Sequence, residues 1–279
     1  MPRALQKLPS FNAVAPGSVA SLNIPTTDTY SAIFVGIRHG SDTKMTVTNM
    51  KTLVEEIKLV LNGRVMWQIT GADYIAKLNF YGIDIQAGVL PLVFALPYMD
   101  NAVNGDVFSL GTSDLRTAVL EIKLSSGITS PKLEAYSEIL VGGNQPLGLF
   151  IKIEDTHYGA EGTGIREISD LPVTGPGVGL KALHVTTDSI GDVEIRANRS
   201  ELFKVIPEIN ANQLSIRTSR TGERVLQAGY THIDLGGNRL ADVVQTGNIK
   251  DLRLKMDFTA ATAFRVIHEL VVDGSAFVS

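Results

Sequence analysis

Histidine is the residue type with the broadest catalytic and metal-binding chemistry in this chain, because cysteine is absent. Cupin-type metal enzymes use a His-x-His pair and a carboxylate on facing β-strands, and metal ligation generally needs several converging groups. None of the five histidines belongs to such a pair; they are His39, His157, His184, His232 and His268. We therefore expect structural or surface roles for all five and assign no metal ligand.

One histidine begins a partial zinc-protease motif. His268 and Glu269 match its first two positions, but Val272 stands where the second histidine should be. The motif also requires a helix, whereas this segment alternates like a strand. We reject the match.

Glycine-rich and nucleophile motifs are equally weak. The segments GTG (162–164) and GPGVG (175–179) are faintly similar to phosphate-binding loops, yet the second contains proline and leads into a strand-like run instead of a helix. No Gly-x-Ser-x-Gly elbow and no Walker lysine are present. The glycosylation-type triplet NRS (198–200) is better interpreted as a helix cap at Asn198. We predict no catalytic and no cofactor-binding residue.

Two sets of residues have a binding interpretation beside a plain structural one. Carboxylates in predicted turns offer the oxygen ligands that Ca²⁺ prefers, although no fixed ligand spacing is visible and solvated turns are the alternative; these are Asp100, Asp106, Asp188 and Asp192. The aromatic residues Trp67, Phe80 and Tyr81 form either an interaction patch or part of the core. No cofactor is required by the sequence, and calcium is the one ion it suggests.

Composition and charge narrow the class. The 279 residues are 44% hydrophobic and 19% charged, which predicts a folded chain with a substantial core. A net charge of -4 argues against direct nucleic-acid binding, which depends on many Lys and Arg contacts. The N-terminus lacks the apolar segment of a signal peptide, and the longest apolar stretch, 89–99, is too short for a membrane span and contains two prolines.

Most segments alternate apolar and polar residues with period two. Examples are AVLEIKLS (118–125), LKALHVTT (180–187), DVEIRA (192–197) and DLRLKMDF (251–258). This is the pattern of strands with one buried face, and turn signals such as Asn62-Gly63 separate the runs. The pattern predicts an all-β sandwich or barrel with short helices in loops.

The sequence also repeats itself. EIKLVLNGRVMW (56–67) aligns with VEIRANRSELF (193–203), and FSLGTSDLRTAVLEIKLS (108–125) aligns with VQTGNIKDLRLKMDFT (244–259), both at an offset of 136 positions. Both segments of the first pair are predicted to contain a strand and a polar turn that lead to a short helix. Thr70 with Asp73 caps the helix of the first copy, and Asn198 with Glu201 caps that of the second. Duplication of one β domain is the simplest account.

The predicted organisation has three parts. Residues 1–20 contain three prolines and little periodicity, which indicates an N-terminal arm. Residues 21–147 form the first domain and 148–279 the second, with the boundary near a stretch rich in glycine and proline.

The ordered set LNGR, FSLGTSDLRTAVLEIKL, PKLEAYSEI, EISDLP with VGLKALHVTT, and DLRLKMDF resembles the major capsid proteins of corticoviruses, from about residue 20 to the end. The resemblance implies a double jelly roll: two tandem eight-stranded jelly rolls. It further implies homotrimers of pseudo-hexagonal outline, tiling the icosahedral shell of a tailless bacteriophage over an internal membrane.

That resemblance also implies partners and place. The partners are neighbouring capsomers, a vertex (penton) protein, and the internal membrane or its small membrane proteins. The chain is expected in the virion capsid after synthesis in the host cytoplasm, as a structural protein and not an enzyme. A carbohydrate-binding protein or metal-dependent enzyme with two jelly rolls is the alternative, because a fold does not settle function.

Overall fold

Antiparallel strands dominate both halves of the chain. The computed structural model describes residues 2–99, 105–169, 171, 175, 177–216, 218–219 and 222–275. The first half contains β1 (Arg3–Lys7), β2 (Val19–Asn23), β3 (Tyr30–His39), β4 (Thr43–Lys44), α1 (Val47–Leu53), β5 (Val54–Leu61), β6 (Arg64–Ile69), α2 (Gly71–Phe80), β7 (Val89–Val93), β8 (Ala118–Leu124) and β9 (Lys132–Leu140).

The second half repeats this succession with longer and additional strands. It contains β10 (Leu149–Glu161), β11 (Gly164–Ile168), β12 (Val178–Val185), β13 (Ile190–Ala197), β14 (Ser200–Val205), α3 (Pro207–Ile216), β15 (Thr218–Ser219), β16 (Gly222–Glu223), β17 (Thr231–Asp234), a 3-10 turn (Leu240–Asp242), β18 (Val244–Gln245), β19 (Leu252–Phe258) and β20 (Thr262–Asp273). No helix among these described residues is long and apolar enough to cross a bilayer.

Each half is a two-sheet sandwich, and the strand order is the same in both. In the first half the sheets are β1-β9-β3-β7, with the two-residue strand β4 on the same edge of β3, and β2-β8-β5-β6. In the second half they are β10-β20-β12-β17 and β11-β19-β13-β14. The predicted jelly-roll architecture and the internal duplication are therefore confirmed. The predicted alternation is also present, since every second residue of β8 and β19 is buried in the core.

The two halves share one continuous sheet. Strand β6 of the first half runs parallel to β10 of the second, with Trp67 opposite Ile153. The resulting order is β17-β12-β20-β10-β6-β5-β8-β2. The second sandwich therefore extends a sheet of the first by direct strand pairing.

The duplication extends to single hydrogen bonds. Asn62 and Asn198 both adopt positive φ, 48° and 55°, at the tight turns after β5 and β13. The side-chain oxygen of Asn62 accepts from the backbone N–H groups of Arg116 and Thr117, at 2.8 and 3.1 Å. The side-chain oxygen of Asn198 accepts from those of Lys250 and Asp251, at 3.0 and 3.4 Å. Asparagine suits this position because it tolerates the left-handed region and bonds to nearby backbone.

The predicted helix cap at Asn198 is therefore wrong. Its side-chain oxygen binds the backbone ahead of β19, and Glu201 lies in β14 opposite Arg196. The helix begins later, at Pro207, where the missing N–H of proline costs nothing. The cap predicted at Thr70 is confirmed, because its hydroxyl accepts from the N–H of Asp73 and donates to the Asp73 carboxylate.

The N-terminal arm is also corrected in part. Residues 3–7 form β1, which pairs antiparallel with β9 along its whole length. Prolines at 2 and 9 flank the strand instead of interrupting it, and Leu8 and Phe11 are buried in the core. The alternation is weak because β1 is an edge strand with one face outward.

We predict that the two turn asparagines have matched energetic roles. Asn62→Ala and Asn198→Ala should each lower the free energy of unfolding by about 2 kcal/mol, because alanine forfeits the bonds to two amides and strains the positive φ. Asn→Gly at either position should cost less, because glycine relieves the strain. Urea unfolding measures both; equal stability of the Ala and Gly variants would contradict the backbone argument.

Candidate functional site

A cluster of buried polar and charged side chains lies where the two halves meet. Helix α2 of the first half packs on the outer face of the sheet formed by β10, β20, β12 and β17. Asp73 near the start of α2 accepts from Tyr230 at 2.7 Å and is paired with Arg265 at 2.6 Å. One turn on, Lys77 lies 3.7 Å from Glu269, and at the end of the helix the ring of Phe80 stacks on His232 at 4.2 Å. Three successive turns of α2 therefore contact the second half.

The start of α2 is fixed by a close approach of two backbones. A side chain at Gly71 would place its first carbon 2.5 Å from the carbonyl oxygen of Val54. Glycine at this position allows the helix to lie against the beginning of β5. The Thr70 cap then sets its direction, so that Asp73, Lys77 and Phe80 share one face.

Trp67 joins the halves beside the helix. Its indole N–H donates to the carbonyl oxygen of Ile151 at 2.7 Å, and its ring contacts those of Tyr74, Phe94 and Phe150. Trp67, Phe80 and Tyr81 are all at most 1% exposed. The core interpretation of these aromatics is confirmed, and the surfaces that they join are the two halves of one chain.

Glu269 is the centre of the network. Its carboxylate accepts from the Tyr81 hydroxyl at 3.1 Å and from the Nε2 of His184 at 3.0 Å. The ammonium groups of Lys77 and Lys181 lie 3.7 and 3.6 Å away. Glu269 itself is fully buried. Two lysines on different halves thus share one buried carboxylate.

A second buried ion pair adjoins the first. The guanidinium of Arg224 donates to Asp234 at 3.0 Å and to the side chain of Asn238 at 2.6 Å. Lys181 connects the two centres, because its Nζ lies 3.9 Å from Asp234 and donates to the Tyr81 hydroxyl at 2.5 Å. The ring of Tyr98 lies parallel to that of Tyr81 at 4.2 Å, and both Lys181 and Arg224 lie over the Tyr98 ring.

The histidine pair has one consistent arrangement of protons. The Nδ1 atoms of His184 and His232 are 2.7 Å apart, so one must donate and the other accept. The backbone N–H of Gln227 donates to Nε2 of His232, at 3.4 Å. His232 therefore donates through Nδ1 to His184, whose Nε2–H donates to Glu269. This chain gives each ring one donated and one accepted hydrogen bond.

Burial and charge set the ionisation of these groups. Burial, followed by the neighbouring His184, lowers the pKa of His232 far below its usual value and keeps the ring neutral. Burial would raise the pKa of Glu269, but Lys77, Lys181 and His184 together lower it. Burial raises the pKa of Tyr81, and Glu269 adds to that effect, so the hydroxyl remains a donor. The Glu269 carboxylate is therefore charged at neutral pH.

The five histidines have different surroundings. His184 and His232 lie in the interface network, and His268 is buried within the second sandwich. His157 is exposed on β10 near Asp155, and His39 ends β3. Among the described residues no group of three or more His, Asp or Glu side chains is arranged to hold a metal ion. The sequence analysis did not predict that His184, His232 and Glu269 lie together. The one feature that could have indicated it is the presence of single polar residues inside otherwise apolar strands.

The predicted calcium ligands do not share a partner. Asp106 accepts from Arg3 at 2.8 Å, and Asp188 accepts from the backbone N–H of Gly229 at 3.1 Å. Asp192 lines a shallow depression between β11 and β13, and Asp100 lies outside the described residues. Calcium binding stays a prediction. Of the glycine loops, GTG joins β10 to β11, and Gly179 lies in β12, so neither opens a helix.

Two solved structures of viral capsid proteins share this architecture. The crystal structure of the major capsid protein P2 from Bacteriophage PM2 matches with a TM-score of 0.86 and 22% sequence identity, and the match covers 97% of each chain. The STIV major capsid protein matches with a TM-score of 0.67 and 12% identity, covering 98% of this chain and 97% of that one. The fold is therefore the double jelly roll of viral capsid proteins.

The chain belongs to the viral coat protein P2 family. The N-terminal domain of that family matches residues 5–140 and the C-terminal domain matches 150–273. Major capsid protein P2 of Pseudoalteromonas phage PM2 is 26% identical over 275 residues, 96% of each chain. The resemblance found in the sequence is confirmed. Membership supports a major capsid protein function and implies a structural, non-enzymatic role, a place in the virion capsid and association with other capsid subunits.

We predict that Glu269 is the most sensitive polar residue of this interface. Glu269→Gln should destabilise the chain by about 3–5 kcal/mol, because it leaves two buried ammonium groups without their carboxylate. Glu154→Gln is the control, since Glu154 is partly exposed and pairs with Lys152; it should cost less than about 1 kcal/mol. Chemical denaturation measures both, and equal effects would contradict this role for Glu269.

Acid should destabilise the fold through His268. Burial lowers the pKa of His268 to about 4 from the usual 6.5. Between these values the unfolded chain binds more protons than the folded one, so stability falls as the pH falls from 6.5 to 4. His268→Leu should flatten the fall, whereas His157→Leu, at an exposed position, should not. Urea midpoints measured from pH 7 to 4 test this, and identical slopes for all three proteins would refute it.

Proposed function

We propose that this chain self-assembles into homotrimers of pseudo-hexagonal outline that tile an icosahedral shell over an internal membrane. The observation that carries the proposal is the duplication of one sandwich with the same strand order in both halves. Three copies of a two-sandwich chain provide six similar units around a three-fold axis, which suits a hexagonal lattice site. Membership of a viral coat protein family supports the same conclusion.

The proposal includes partners and location. Neighbouring trimers, a vertex (penton) protein, and the internal membrane or its small membrane proteins are the proposed contacts. The net charge of -4 favours contact with proteins over direct contact with the genome. We place synthesis in the host cytoplasm and the mature chain in the capsid of a bacteriophage.

Two finer points belong to the same proposal. We propose a division near residue 148, with residues 21–147 and 148–279 as the two jelly rolls; the family matches, which end at 140 and resume at 150, support it. We also propose that no organic cofactor is required and that calcium binds at acidic turns of the assembled particle, where carboxylates of adjacent copies would add ligands.

Light scattering on the purified protein tests the oligomer. We predict a particle of about three times the chain mass of 30.0 kDa, with larger species forming when calcium is added. A chain that remains monomeric at high concentration, with and without calcium, would contradict the proposal. A trimer that does not respond to calcium would contradict the calcium part alone.

A further inference from the structure

Helices α2 and α3 occupy equivalent places in the two halves. Their bounds differ by 136 positions at both ends, 71 and 207, 80 and 216, which is the offset of the sequence repeat. Each follows the strand that pairs with the turn-asparagine strand, β6 after β5 and β14 after β13. The residues of α2 that contact the second half therefore have counterparts in α3.

The counterparts are exposed. Asp73, Lys77 and Phe80 of α2 correspond to Ile209, Gln213 and Ile216 of α3. The first three are at most 6% exposed, whereas Ile209 is 56% and Ile216 78% exposed. Two isoleucines facing water on one helix face are unfavourable unless another surface covers them.

Other exposed apolar side chains lie in the same half of the chain. Leu202, Ile206, Val225 and Leu226 are each 43% to 50% exposed. Ile206 and Leu226 line a shallow groove at the start of α3, together with Tyr230 and Asn210. Two of these exposed apolar residues therefore lie beside the start of α3, whereas Ile165 lies apart on β11.

The first half carries the surface that matches. In the second half, α2 covers the outer face of the sheet β10-β20-β12-β17. The equivalent sheet of the first half is β1-β9-β3, and its outer face holds Leu5, Phe34 and Tyr136. Phe34 lies directly opposite Tyr136, and Leu5 is on the adjoining strand, diagonal to it. Leu5 is 71% and Tyr136 39% exposed, so these two residues of this strip reach solvent. Charged side chains border them: Arg3 is paired with Glu138, and Lys7 lies over the Tyr136 ring.

We propose that α3 of one copy packs, through Ile209 and Ile216, on the Leu5, Phe34 and Tyr136 strip of a second copy. The contact repeats between chains what α2 does within one chain, and it rests on the trimer proposed above. Each chain offers one helix and one strip, so the contact is head-to-tail. Within a chain the first half contacts the second, and between chains the second half contacts the first half of the next chain in the same way. Three chains therefore complete a ring of six similar contacts.

The contacts within a chain and between chains differ in chemistry. Within the chain the contact contains buried ion pairs, Asp73 with Arg265 and Lys77 with Glu269. Between chains the helix face is uncharged, and the charged residues that border the strip are paired within the chain. The contact therefore leaves no charge unpaired in the free chain, so each chain can fold before it assembles.

Three variants test the contact. The double variant Ile209→Asp with Ile216→Asp alters the helix, and Leu5→Asp alters the strip. Ile165→Asp is the matched control, because Ile165 is also 78% exposed but lies on β11. Trimer dissociation is followed by light scattering on dilution, and circular dichroism checks that each variant is folded. Ile216→Ala serves as a milder helix variant whose folding a new charge cannot disturb.

We expect both the helix and the strip variants to raise the trimer dissociation constant at least about tenfold, with Ile216→Ala showing a smaller rise in the same direction, and Ile165→Asp to leave it unchanged. If the wild-type chain is a trimer and either the helix variant or the strip variant has the same dissociation constant, the proposed contact is wrong and the trimer proposal stands. A monomeric wild-type chain would overturn both proposals.

Discussion

A single buried carboxylate decides how the two sandwiches sit together. Glu269 is removed from water and surrounded by Lys77 from the first half, Lys181 and His184 from the second, and the Tyr81 hydroxyl that follows α2. A buried charge is costly unless several partners compensate it, and those partners meet at one relative placement of the halves. The position of α2, the pairing of β6 with β10 and the burial of Trp67 all depend on that placement.

Duplication explains why the chain uses a polar contact here and an apolar surface at the equivalent helix. The two copies of the ancestral sandwich kept their strand order, their turn asparagines and the place of the helix, which are the features that hold each sandwich together. The helix face diverged, with Asp73, Lys77 and Phe80 in one copy and Ile209, Gln213 and Ile216 in the other. An internal interface forms during folding, when its charges find their partners within the same chain, whereas an uncharged helix face brings no charge that must be compensated when two chains meet.

The sequence predicted what depends on local periodicity. Strands such as β8 and β19, the 136-residue repeat and the Thr70 cap follow from alternation and from neighbours within a few positions. Two local predictions were wrong for a tertiary reason: Asn198 bonds to backbone 52 positions away, and β1 becomes a strand because β9 offers it a partner. The Glu269 network was out of reach, because Lys77, Lys181, His232 and Glu269 converge from four separate segments. Only the isolated polar residues inside apolar strands hinted at it.

The continuous sheet has a mechanical meaning. Because β6 and β10 are hydrogen-bonded neighbours and Trp67 ties the same edge to Ile151, bending the chain between its halves would break main-chain bonds instead of flexing a linker. The molecule is thus a rigid unit two sandwiches wide. In the proposed shell, any change of curvature must therefore occur at the contacts between molecules, where side chains meet without shared strands.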